Sequence, residues 1–185
     1  FAAANLRNLV PMGYKCNSNY KLVTDVLFDT GGTRRVSFDP YNHTKIGVVL
    51  DNSDPFDGST PYTPKWKIEF DPDAPAVHTW DSVFSIRKRY ERDHLDPNFN
   101  EWLTGFRNWA RSVKFKPDTD DELVDALRDY EQYWFESGIQ DRAFLKAAMF
   151  RMLRHHCEKG HERLLGLLRD LIAPLEKAAA VSATP

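Results

Sequence analysis

The chain has 185 residues, of which 42% are hydrophobic and 28% charged, with a formal net charge of −2. That balance excludes a disordered polyelectrolyte, and no apolar run approaches the roughly 20 residues a membrane span needs. Two cysteines, Cys16 and Cys157, are too few for a disulfide framework and point to a reducing, cytoplasmic setting without a membrane partner.

The chain opens on the stretch Asn5-Leu6-Arg7-Asn8-Leu9-Val10-Pro11, in which Pro11 biases Val10 towards an extended conformation. A helix is expected from about Tyr14, carrying Cys16 and Asn17 on its first turns and continuing through Lys21 to Phe28 until Gly31-Gly32 breaks it. Arg34 to Phe38 and Lys45 to Leu50 read as a small hairpin or two minor strands, and Trp66 to Phe70 alternates like a third. Beyond a boundary near residue 75 the periodicity turns helical. Thr79 or Asp81 is expected to cap a helix with Val83, Ile86 and Tyr90 on one face. Pro97 opens the next, whose stripe is Phe99, Trp102, Leu103, Phe106, Trp109, Ala110 and Val113. Thr119 with Glu122 forms a capping-box pattern before Leu123, Leu127, Tyr130 and Trp134, and Gly138 closes that helix. Asp141 to Glu158 is apolar nearly all round, as befits a central buried helix, and after Gly160 a last helix buries Leu164, Leu165, Leu168, Leu171 and Ile172.

These elements make an α+β chain: a small mixed unit over residues 1–75, a helical bundle over 76–177, and a tail over 178–185 expected to be disordered. The Trp and Phe residues between 80 and 135 fall on the helical stripes, which assigns them to a core rather than to a base-stacking platform.

Asn8-Leu9-Val10-Pro11 followed by Cys16-Asn17 and Lys21 resembles the C-terminal half of the HNH endonuclease motif, a ββα unit that holds one divalent cation. The resemblance implies an incomplete ββα-metal unit at the N-terminus, with Asn8 orienting the general base, Asn17 ligating the cation and Lys21 as the basic residue that follows. It implies Mg²⁺ or Mn²⁺ as cofactor, because an amide oxygen suits a hard cation. Phe38-Asp39-Pro40-Tyr41 is similar to a segment that often follows the motif. The family's Asp-His pair has no counterpart between Phe1 and Arg7, so the general base is expected upstream of Phe1. Gly13 stands where many members carry a cysteine, and no structural zinc is expected. Capping and turn formation account for Asn8 and Asn17 equally well when each is taken alone.

Charge is uneven: residues 1–50 hold six basic and three acidic side chains, and residues 80–117 eight and five, whereas 51–79 and 118–185 are net acidic. Arg87, Lys88, Arg89 and Arg92 form the densest basic cluster, with Lys88 and Arg92 sharing a face at i, i+4 as candidate phosphate contacts. His155, His156 and His161 invite a metal reading with Cys157, but adjacent residues on a helix point apart and a helix C-terminus favours cationic side chains anyway. His43 reads as a turn residue. The chain as a whole is similar to prokaryotic HNH proteins with a helical C-terminal extension, including the nuclease subunit of Septu-type antiphage systems. That implies a metal-dependent DNA endonuclease acting in antiphage defence with an ABC-type ATPase partner. The alternative is a non-catalytic helical adaptor that keeps an HNH remnant.

Overall fold

The structure is a computed structural model that describes Ser18, Lys21 and residues 24–38, 45–56 and 64–173. It is mixed but mostly helical, with a helical bundle and one small sheet. The described elements are β1 (Gly47–Val49), β2 (Glu69–Asp71), α1 (Pro75–Phe84), α2 (Ile86–Tyr90), α3 (Asp96–Ser112), α4 (Asp120–Glu136), α5 (Ala143–Glu158) and α6 (Glu162–Ile172). A π-helical turn, Glu91–Leu95, joins α2 to α3. The chain divides into two compact units, one drawn from Phe1–Val49 and Ile68–His94, the other from Leu50–Lys67 and Leu95–Pro185.

In the first unit β1 and β2 pair antiparallel, with Val48 opposite Phe70. Of the hairpin or two minor strands expected from Arg34 to Phe38 and Lys45 to Leu50, only the second strand forms, as β1, and residues 34–38 do not pair with it. Arg34 instead makes a single bridge to Phe28. Nor does a helix run through Thr24–Phe28. The Asp25 carboxylate accepts from the N–H groups of Leu27 and Phe28, at 2.7 and 3.2 Å, and so competes with helical pairing. Ile68, Phe70, Val77, Val83 and Ile86 make this unit's core. Phe70 is ringed by Trp80 at 5.5 Å, Tyr90 at 6.4 Å and the Arg87 guanidinium at 4.8 Å.

α1 starts at Pro75, earlier than a Thr79 or Asp81 cap would place it, because proline at the first helical position lacks only an N–H that has no intrahelical acceptor. Asp81 has another task. The chain bends between α1 and α2 at Ser85, which adopts a left-handed conformation at φ 52. The Asp81 carboxylate bridges that bend, accepting from the Arg87 backbone N–H at 2.8 Å and its Nη1 at 2.7 Å, while Arg87 Nε donates to the Ile68 carbonyl at 2.8 Å.

In the second unit α4 packs along α5, and α6 lies against both α3 and α5. Its centre is aromatic: Phe106, Tyr130 and Phe150 have mutual ring separations of 5.3, 5.6 and 4.7 Å. The capping box at Thr119 and Glu122 forms, with the Thr119 hydroxyl accepting from the Glu122 N–H and the Glu122 carboxylate from the Thr119 N–H. Val113, expected on the α3 stripe, is instead 55% exposed. α3 ends at Ser112, and Lys114 turns left-handed at φ 53, so Val113 has left the helical period.

Candidate functional site

Asn8 and Asn17, with Cys16, Asp39 and His43, lie outside the described residues, so the donor set implied for a cation is not among them. Lys21 is half-buried, and its carbonyl accepts from the Thr24 N–H at 2.8 Å. Phe38 is described, but the Asp39-Pro40-Tyr41 that completes its segment is not.

The basic cluster divides by task. Arg87 is committed to Asp81, Ile68 and Phe70 inside the first unit. Arg92 is exposed and forks onto Asp93, with Nε to Oδ1 at 2.6 Å and Nη2 to Oδ2 at 2.9 Å. The Arg92 guanidinium holds the Asp93 carboxyl below its usual range. Lys88 is exposed on α2. Of the two candidate phosphate contacts, Lys88 thus presents its charge to solvent and Arg92 shares its charge with a carboxylate.

The histidines of the second unit gather where α5 turns into α6. His155 and His156 have ring centroids 5.8 Å apart at 76°, and His156 and His161 are 6.0 Å apart. His156 Nε2 lies 2.8 Å from the Ser53 carbonyl, and His161 Nδ1 accepts from the Leu164 N–H at 3.3 Å as the cap of α6. Among the described residues, no three His, Cys, Asp or Glu side chains are placed to hold a metal ion. Cys157 is buried, and its thiol is pushed up to about 12 by burial, assisted by the Glu158 carboxylate, so it is a packing residue rather than a ligand or nucleophile.

One charged residue escaped the sequence reading. Lys146 sits in the first turn of α5 and is only 8% exposed. Its ammonium lies 4.0 Å from the Trp134 ring centroid, 6.0 Å from that of Trp102 and 2.6 Å from Asp141 Oδ2. The hydrogen bond and charge of Lys146 hold the Asp141 carboxyl below its usual range. Asp141 and Arg142 are both left-handed, at φ 47 and 60, a conformation non-glycine residues rarely take, and the Lys146 contact ties this turn to α5. The sequence signal is a lysine set among Phe144, Leu145, Ala147 and Ala148 at the apolar start of the helix. Beside this turn Tyr133, Phe135 and Ile139 are 56%, 70% and 85% exposed, so Phe135, in the last turn of α4, is not the core residue the sequence implied.

Among the described residues no helix is long and apolar enough to cross a membrane. Compared with known proteins, the chain matches no family model, no curated protein and no solved structure.

Proposed function

We infer that the chain belongs to a metal-dependent HNH-type endonuclease that hydrolyses DNA phosphodiester bonds, in the setting of antiphage defence with an ATPase partner. The observation that carries this reading is the combined pattern of Asn8-Leu9-Val10-Pro11, Cys16-Asn17 and Lys21. In it Asn17 is a ligand of Mg²⁺ or Mn²⁺, Asn8 orients the general base through its amide, and Lys21 adds positive charge beside the phosphate. The bound cation supplies Lewis-acid chemistry at the scissile phosphate. The exposed Lys88 fits a supporting role on the DNA backbone. Incubating the full-length protein with supercoiled plasmid and Mg²⁺ or Mn²⁺, against an EDTA control, tests the reading: metal-dependent nicking is expected, and intact plasmid under every condition rejects it.

A second reading, a non-catalytic helical adaptor, draws on the exposed Tyr133, Phe135 and Ile139, since aromatic and large aliphatic side chains left in water at one end of a helix suit a protein partner. In that case the plasmid stays intact.

A further inference from the structure

A cavity of about 610 Å³ opens in the second unit between the end of α3 and the first turns of α4, within the range of about 300–1,000 Å³ that small-ligand sites occupy. A Schellman turn shapes one wall. The Phe115 N–H donates to the Ala110 carbonyl at 2.8 Å and the Lys114 N–H to that of Arg111 at 3.1 Å, with Lys114 left-handed at φ 53 where glycine is usual. This turn carries Val113 off the α3 stripe and into the cavity lining, next to a half-buried Phe115. Trp109 belongs to the stripe and stacks on Phe106 at 5.7 Å and 21°, yet it is only half-buried, and the rest of its indole also lines the cavity.

The charges around this apolar wall divide into committed and free ones. On the α4 side, Glu122 closes the capping box and Asp125 accepts from Arg128 Nη1. Lys114, Lys116 and Asp129 also line the cavity, are exposed, and make no hydrogen bond or ion pair among the described residues. Two free ammonium groups against one free carboxylate leave the cavity with a net positive charge to satisfy. A helix C-terminus favours lysines anyway, which accounts for Lys114 and Lys116 but not for the indole, valine and phenylalanine left open to water beside them. A basic peptide would meet both lysines, and a bare phosphate would leave the apolar wall unused. The lining fits a ligand that joins an anionic group to a flat apolar body with hydrogen-bond donors on it.

We propose that this cavity binds a nucleoside phosphate. Lys114 and Lys116 take the phosphate, Trp109 and Phe115 give the base an apolar wall, and Asp129 accepts from a sugar hydroxyl or a base N–H. A free nucleotide and the end of a single strand share this chemistry. The site is independent of the nuclease reading, as none of its residues belongs to the HNH pattern.

The test is an NMR titration of the full chain in EDTA, which keeps metal-dependent cutting out of the result. Its probes are adenosine 5′-monophosphate, adenosine, inorganic phosphate and a short single-stranded oligoadenylate. The monophosphate should shift the Trp109 indole resonance and the amides of residues 113–116 and 126–129, and should bind more tightly than adenosine or phosphate. Lys114→Gln with Lys116→Gln should weaken the monophosphate about tenfold or more and leave adenosine unchanged. Asp129→Asn should weaken both alike. All three side chains are exposed, so these variants keep the fold. Tighter binding of the oligoadenylate than of the monophosphate assigns the site to a strand end, and equal or weaker binding assigns it to the free nucleotide. Shifts that miss this cavity, an equal response to phosphate alone, or an unchanged monophosphate affinity in the double lysine variant overturns the proposal. So does an oligolysine peptide that moves these resonances where the monophosphate does not.

Discussion

Cys157 shows how position within a helix decides what a side chain can do. At a thiol value of about 12 instead of 9.0, its thiolate fraction at neutral pH is lower by about a thousandfold. In a Cys16→Ser background, Cys157 should resist a disulfide reagent at pH 8 and react promptly once denaturant is added. Rapid labelling of the native protein contradicts the buried placement. For Lys88, one lost phosphate contact flattens the dependence of log affinity on log salt by about 0.9 for duplex DNA. Lys88→Ala should approach that change across unrelated sequences. Arg92→Ala should do less, because the guanidinium is already shared with Asp93. Asn17→Ala should abolish metal-dependent nicking while leaving the circular-dichroism spectrum and melting temperature nearly unchanged. Nicking at the wild-type rate removes Asn17 from the cation.

Elements were legible in proportion to how locally their signals act. The capping box of α4 was readable because Thr119 and Glu122 bond to each other's backbone within one turn. Thr119→Ala should therefore cost about 1 kcal/mol, measured by denaturant unfolding. The bend between α1 and α2 was misread for the opposite reason. Asp81 looked like an N-cap, yet its partner is the N–H of Arg87, reached only because Ser85 turns left-handed. Removing the carboxylate takes the acceptor from Arg87 Nη1 and from its backbone N–H, while Nε keeps the Ile68 carbonyl. Asp81→Ala should lower stability by about 1–3 kcal/mol. An unchanged unfolding midpoint would make the bridge incidental.

At the scale of the whole molecule, α3, α4 and α5 each contribute one ring to the Phe106, Tyr130 and Phe150 cluster, and α6 packs against α3 and α5. Phe106 is fully buried, and Phe106→Ala should destabilise by about 3–5 kcal/mol, combining lost transfer energy with the cavity left behind. A loss below 1 kcal/mol would mean the surrounding rings collapse into the gap. The sequence by itself determined α3 to α6, because apolar spacing, a capping box, Pro97, Gly138 and Gly160 act within a few residues. It also determined the motif pattern at Asn8, Asn17 and Lys21, whose first two residues lie outside those described. Tertiary structure alone decided that β1 pairs with β2, that Lys146 is buried against Trp134, and that His156 reaches Ser53. The physical reason is separation along the chain. Ser53 and His156 stand 103 positions apart, and no local periodicity encodes which distant carbonyl a ring nitrogen will meet.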